Sequence, residues 1–287
     1  MFAIIGMVAV VGCVIGSYVA MGGKLAVLNQ PFEVVIIFGS GISAFIISNP
    51  IRVVKGSFGK LGAVFKGPKY KKADYLELLT MQYQVFKLMK QKGALALEAH
   101  VENPHDSTLF AEFPKFHHDH HATEFFCDYV RLLTLGSDNP HEISDLMDQE
   151  LDLHHQDDHA IGHALTGMAE SFPALGIVAA VLGVIKTMGS ISEPPEVLGG
   201  LIAGALVGTF LGILLCYGWF APLASAAKQL MEDEASYFSC MKAGIIAHLQ
   251  GYAPQVSVEF ARKAIGHHNR PTFGEVEDAC GNLPAPQ

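Results

Sequence analysis

Four long stretches of this chain are almost free of charged residues, and they limit what it can fold into. The first and last, residues 2–23 and 197–227, contain no Asp, Glu, Lys or Arg, while residues 25–50 and 171–192 contain one each. Because about 20 apolar residues cross a bilayer as a helix, we expect four transmembrane helices. The second is the weakest, since only about 15 strongly apolar residues follow Glu33.

Composition excludes several other classes of protein. The 287 residues are 50% hydrophobic and 16% charged, whereas soluble domains carry about 25% charged residues. A net charge of -9 argues against nucleic acid as a partner, because that partner requires a basic surface. The five cysteines form no CxxC pair, so we expect free thiols. Met1-Phe2 provides no basic region, so we expect a membrane span at the start rather than a cleaved signal peptide.

The positive charges predict the orientation, because short segments rich in Lys and Arg stay in the cytoplasm. Seven cations and no acid lie between residues 51 and 72. We therefore expect both termini in the cytoplasm. The domains would be residues 1–50 (helices one and two), 51–170 (a cytoplasmic domain), 171–227 (helices three and four) and 228–287 (a cytoplasmic tail).

The segment 51–170 has helical periodicity and no strand pattern. Apolar residues recur at three- and four-residue steps from Lys72 to Glu98, with a break expected at Gly93. Further helices are expected at about 122–135 and 141–155. The predicted fold class is an all-α integral membrane protein with a helical cytoplasmic domain between the second and third spans.

The third and fourth charge-poor stretches contain no carboxylate, although ion pathways usually keep ionisable groups inside the bilayer. If the chain moves an ion, a partner must supply the carrier carboxylate. The fourth stretch has a glycine every four positions, at Gly200, Gly204, Gly208 and Gly212. This glycine stripe is explained either by close helix packing or by a pathway beside it. Thr209 and Tyr217 lie near it, although a Thr here commonly bonds to its own i−4 carbonyl.

Two prolines, Pro173 and Pro222, stand at the start of the third stretch and the end of the fourth. Pro173 has an ordinary explanation as a residue at a helix start, whereas Pro222 follows an apolar run and predicts a kink. A matched pair at one membrane level would also suit a hinge that couples the membrane to the cytoplasmic domain.

Eleven of the 14 histidines lie between residues 51 and 170. His117 and His121, at i and i+4, would meet a metal if they shared a helix face, but such tracts also occur as solvated composition. We predict no metal and no cofactor. The sequence contains no nucleotide loop, nucleophile elbow or HExxH motif, so no enzyme is expected.

Several motifs resemble the MotA family of flagellar motor stator subunits, within the wider MotA/TolQ/ExbB proton channel family. They are GGKLAVLNQPFEVVII at 22–37, ADYLELL at 73–79, SFPALGIVAA at 171–180, VGTFLGILLCYG at 207–218, PLA at 222–224, GYAP at 251–254 and VEFAR at 258–262. The resemblance implies a multi-pass motor subunit of the bacterial inner membrane that serves motility and chemotaxis. A related subunit of the ExbB or TolQ type, which energises an envelope process, and a passive membrane scaffold are the alternatives.

The resemblance also implies partners. Members form a ring of five around the single transmembrane helices of two MotB chains, whose aspartate carries the proton, and they turn the rotor protein FliG. Thr209, Ala180 and Tyr217 match channel-facing positions, and an alanine at 180 favours protons over sodium.

Two coupling features follow from the same resemblance. Pro173 and Pro222 match the two functional prolines of the family. Lys90 and Glu98 match its charged rotor contacts, where arginine is usual at the first position. A lysine keeps the charge but cannot form a bidentate contact.

Overall fold

The computed structural model describes residues 2–283, and within that range it is built from helices without any β-strand. The expected all-α class is therefore confirmed. The α-helices are α1 (Phe2–Ala20), α2 (Leu25–Leu28), α3 (Pro31–Val34), α4 (Ser40–Ser48), α5 (Ile51–Lys66), α6 (Lys72–Lys92), α7 (Glu98–Glu102), α8 (Thr108–Ala111), α9 (Pro114–His117), α10 (His120–Thr134), α11 (Pro140–Met188), α12 (Pro195–Ile213), α13 (Ala221–Leu249), α14 (Pro254–Lys263) and α15 (Phe273–Gly281).

Four helical segments are long and apolar enough to cross a membrane, as expected from the four charge-poor stretches. They are Phe2–Ala20, Leu25–Ser48, Pro140–Met188 and Pro195–Leu249. Two of them contain a π-helical turn, at Val35–Gly39 between α3 and α4 and at Leu214–Phe220 between α12 and α13. Such turns are rare and widen the helix locally.

The chain forms two compact units, each with its own hydrophobic core. The first comprises the chain up to Gly67 together with Gln156–Leu230, and the second comprises Pro68–His155 together with the chain from Met231 onward. Helices α11 and α13 each contribute residues to both units.

The core of the first unit contains a cluster of three phenylalanines. Phe172 of α11 is completely buried, and its ring centroid lies 5.9 Å from that of Phe38 and 4.8 Å from that of Phe220. The Phe38 and Phe220 centroids are 5.8 Å apart. Aromatic rings at these separations attract one another beyond their area burial, so the cluster connects the second span to the two carboxyl-terminal ones.

The second unit is organised around α6, whose apolar face is buried. Tyr70, just before α6, stacks on Tyr237 of α13 with centroids 3.8 Å apart. The Tyr70 hydroxyl donates to Asp119 at 2.7 Å, and Asp119 also accepts from the backbone N–H of Ala122 to cap α10. Burial raises the pKa of Tyr70 above its ordinary value, so this phenol remains a hydrogen-bond donor to a higher pH than an exposed tyrosine does.

The periodic region from Lys72 to Glu98 is interrupted where its glycine predicted. Helix α6 ends at Lys92, and Gly93 takes a φ of 85°, a left-handed conformation that favours glycine. A short 3-10 turn at Ala94–Leu97 then leads into α7.

The structure corrects the expectation for Pro173. This proline was given an ordinary explanation as a helix-start residue, but it lies inside α11, which runs without interruption from Pro140 to Met188. The predicted helix at 141–155 and the third span are thus parts of one helix. The periodicity of the sequence did not predict one continuous helix, because the pattern changes from amphipathic to uniformly apolar along α11.

Candidate functional site

Helices α11 and α12 approach each other closely through glycines. A Cβ atom added to Gly212 would lie 2.5 Å from the carbonyl oxygen of Phe172, and one added to Gly176 would lie 2.7 Å from the carbonyl oxygen of Gly208. Both neighbours are backbone atoms, which cannot rotate away. The carboxyl-terminal end of the glycine stripe therefore packs against α11, as small residues commonly do between membrane helices.

The middle of the stripe has a different environment. A Cβ atom added to Gly204 would lie 2.8 Å from Nε2 of Gln30, and one added to Gly208 would lie 2.9 Å from Oε2 of Glu33. Two glycines thus leave room for polar side chains of the second span. No role for Gln30 and Glu33 was predicted from the sequence, although Glu33 is the single charge in residues 25–50.

Two of the three candidate ion-path residues lie on this packed pair of helices. The backbone nitrogen of Ala180 is 3.1 Å from the position a Cβ atom would take on Gly208, next to Thr209. Ala180 and Thr209 are both partly exposed. In the described part of the chain the Thr209 hydroxyl has no hydrogen-bond partner, so the expected bond to its own helix is not formed.

The third candidate, Tyr217, lies in the π-helical turn Leu214–Phe220. Its side chain is 69% exposed. It follows Thr209 by eight residues, which is about 12 Å along a helix axis. The structure therefore places Tyr217 on the same span as Thr209 but at a different depth.

The aromatic cluster described above brings the segments around the two prolines together. Phe172 directly precedes Pro173, and Phe220 is two residues before Pro222, so the 4.8 Å ring contact links both sites. Pro222 follows immediately after the π-helical turn, at the second residue of α13. Because proline has no N–H, Pro222 cannot donate a hydrogen bond to the carbonyl four residues earlier. That carbonyl lies within the π-helical turn.

Lys90 and Glu98 flank the break that follows α6. Lys90 is exposed in the last turn of α6, and Glu98 is exposed at the first position of α7. Each charge is favourable at its helix end. Near Lys90, His248 stacks on Phe86 with centroids 4.7 Å apart, and burial and the neighbouring Lys90 lower the pKa of His248.

Two family models match the chain: Motility protein A N-terminal over residues 4–93 and the MotA/TolQ/ExbB proton channel family over residues 117–239. Motility protein A of Escherichia coli K12 is 40% identical over 287 residues, which cover 100% of this chain and 97% of the relative. Motility protein A of Salmonella typhimurium LT2 is 41% identical, covering 97% of this chain and 94% of the relative. The chain belongs to the MotA family of flagellar stator subunits. These matches favour a stator subunit over an ExbB- or TolQ-type subunit and over a passive scaffold.

Two solved structures share the fold of this MotA-family chain. The flagellar MotAB stator complex from Bacillus subtilis is matched with a TM-score of 0.71 and 26% identity, over 90% of this chain and 92% of that one. The structure of Campylobacter jejuni MotAB gives a TM-score of 0.76 at 21% identity, over 92% and 95%. The second likeness concerns the fold alone.

The histidine tracts do not form the helix face that their spacing suggested. His117 ends α9 while His121 lies in α10, so the two do not share one helix. The Nε2 atom of His117 instead lies 3.1 Å from the carbonyl oxygens of Pro104 and His105. Among residues 2–283, no group of three potential metal ligands comes together.

Proposed function

We propose that this stator subunit forms a ring of five around the single transmembrane helices of two MotB-like chains, and that an aspartate of those chains carries the proton. The observation that carries the proposal is the absence of Asp and Glu from residues 171–192 and 197–227. A proton channel subunit with no carboxylate in these spans requires one from a partner. The partly exposed Ala180 and Thr209 and the exposed Tyr217 offer surfaces for that partner's helix.

The coupling ion is proposed to be the proton. An alanine at 180 has no side-chain oxygen to coordinate sodium, which prefers such hard ligands. Swimming speed should therefore follow the proton gradient when sodium and proton gradients are varied independently in cells that carry this chain and its partner. Speed that follows sodium alone would contradict the assignment.

The chain is proposed to lie in the bacterial inner membrane with both termini in the cytoplasm. Helix α5 supports this orientation, because Arg52, Lys55, Lys60 and Lys66 all lie on it directly after the second span. Residues 51–170 and 228–287 would then be cytoplasmic. Labelling of single introduced cysteines with an impermeant reagent tests the arrangement: sites between 188 and 196 should react in intact cells and sites in α5 should not.

Lys90 and Glu98 are proposed to contact the rotor protein FliG through charge complementarity. Their exposure at the end of α6 and the start of α7 leaves both charges free to attract a partner of opposite sign. Lys90→Glu should reduce swimming while membrane levels stay normal, and Lys90→Arg should retain it. Equal swimming of Lys90→Glu and wild type would remove this contact from the proposal.

Pro173 and Pro222 are proposed to form a hinge that couples ion transfer to movement. The contact between Phe172 and Phe220 supports a joint role, because it links the two proline segments. Pro173→Ala should impair swimming without preventing membrane insertion, and Ala180→Thr should act similarly by altering the ion path. Wild-type swimming of the Pro173→Ala strain would contradict the hinge. The function is force generation and ion transport rather than catalysis.

A further inference from the structure

Glu33 is a carboxyl group inside a membrane span that the proposed mechanism leaves without a role. Its residue surface is 9% exposed, and its Oε2 atom is buried without a hydrogen-bond partner among residues 2–283. An ionisable group kept inside a bilayer is costly and ordinarily serves ion or proton movement. An unpartnered buried oxygen adds to that cost. A purely structural residue at this position would be more stable as an apolar side chain.

The Glu33 carboxyl group packs against one particular glycine of α12. Its Oε2 atom occupies the space left by the missing side chain of Gly208, and Gln30 occupies the corresponding space at Gly204. Ala180 contributes its backbone nitrogen to the same space at Gly208, and Thr209 follows Gly208 in the chain. The carboxyl group therefore lies against the helix pair that carries two candidate ion-path residues.

The backbone supplies a second, independent observation. The π-helical turn Val35–Gly39 begins two residues after Glu33, and such turns occur frequently at functional sites. Before Glu33, the helix is broken between α2 and α3, where Gln30 precedes Pro31. Glu33 thus lies on a short helical segment between two irregularities, rather than within a regular span.

We propose that Glu33 is a proton-exchanging group of this chain, placed on the outer part of the proton path. The inference rests on the proposed proton-driven function and orientation. In the step, the Glu33 carboxylate accepts a proton from hydronium on the outer side, which forms an O–H bond and leaves water. The proton then passes, directly or through water, to the carboxylate of the MotB-like partner, and Glu33 returns to the charged form.

The test uses the full chain, expressed with its partner in motile cells that lack their own stator. Rotation of bead-labelled motors is measured at low and high load over a range of external pH. Glu33→Gln keeps the shape of the side chain but cannot exchange the proton, so low-load speed should fall roughly tenfold or more, with a flattened dependence on external pH. Glu33→Asp should keep a pH dependence. Glu196→Gln, an exposed acid in the first turn of α12, is the matched control and should rotate as wild type does.

The outcomes separate the inference from the proposed function. If the wild-type chain drives rotation and Glu33→Gln rotates with the same speed and pH profile, the inference about Glu33 is overturned but the proposed function stands. A wild-type chain that fails to drive rotation with its partner overturns the proposed function as well. If Glu33→Gln does not accumulate in membranes, Glu33→Leu, which also has no exchangeable proton, takes its place: a lower low-load speed with a flattened pH profile supports the inference, and wild-type speed and pH profile overturn it.

Discussion

Replacing Gly212 with alanine tests the close approach of α11 and α12. The added Cβ atom would lie 2.5 Å from the carbonyl oxygen of Phe172, 2.9 Å from Cα of Gly176 and 3.3 Å from its backbone nitrogen. Non-bonded atoms normally approach no closer than about 3.5 Å. Because all three neighbours are backbone atoms, relief requires the two helices to separate by roughly 1 Å at this level.

The cost of that separation follows from how helices associate in a membrane. They are held together by van der Waals contact and not by the hydrophobic effect, so an extra ångström weakens the contacts along the interface. Overpacking of this kind costs about 1–3 kcal/mol. For a chain of this size the cost corresponds to a lowering of Tm by roughly 2–5 °C. The measurement is thermal melting of the detergent-purified complex, followed by size-exclusion chromatography of heated samples.

Gly200→Ala is the matched control, because it lies on the same helix and stripe but its added Cβ atom would have nothing within 4 Å. Alanine is also the better helix former, by about 1 kcal/mol. The control should therefore melt at or slightly above the wild-type temperature. Equal melting of Gly212→Ala and wild type, or a larger loss in Gly200→Ala, would refute the packing argument.

Two further predictions concern the second unit. Arg262 donates to both carboxylate oxygens of Glu259 at 2.6 Å, so Arg262→Lys should lower the free energy of unfolding by about 2 kcal/mol. The same pair holds the pKa of Glu259 below its ordinary value. The stability that this ion pair contributes is present above about pH 4.3 and is lost as the pH falls through the lower pKa of Glu259 in the folded state. If Arg262→Lys lost stability with acid as steeply as the wild type does, this assignment would be contradicted. His248 has a lowered pKa because of burial and Lys90, so stability should fall as pH drops below about 6.5. His248→Phe keeps the ring contact with Phe86 and should reduce that pH dependence in thermal melts; an unaltered slope would exclude His248 as its source.

The spans and the all-α class could be predicted because they depend on composition over long windows. An uncharged run such as residues 197–227 admits few alternatives once it exceeds the bilayer thickness. The end of α6 was also predictable, because Gly93 requires a local backbone conformation that few residues adopt. These features are local or regular, and the sequence contains them directly.

The continuity of α11 was not predictable in the same way. Its first part is amphipathic and its last part is apolar, so a window method divides it, and Pro173 provides an apparent start at the boundary. An interior proline is tolerated in a membrane helix because neighbouring groups can satisfy the freed carbonyl. That compensation depends on tertiary contacts, which no pattern in one segment reports.

The glycine stripe shows why spacing alone could not decide between packing and pathway. Its four members have the same sequence spacing but different surroundings: open space at Gly200, a polar side chain at Gly204, a carboxylate together with α11 at Gly208, and backbone at Gly212. If the stripe served packing alone, the backbone of a neighbouring helix would lie against every glycine. If it bordered an ion path alone, no backbone would lie against any of them. The gaps at Gly204 and Gly208 are filled by Gln30 and Glu33, which lie about 175 residues away in sequence. The second span therefore determines the surroundings of Gly204 and contributes to those of Gly208, whereas α11 determines those of Gly212, so substituting the glycines one at a time separates the two roles.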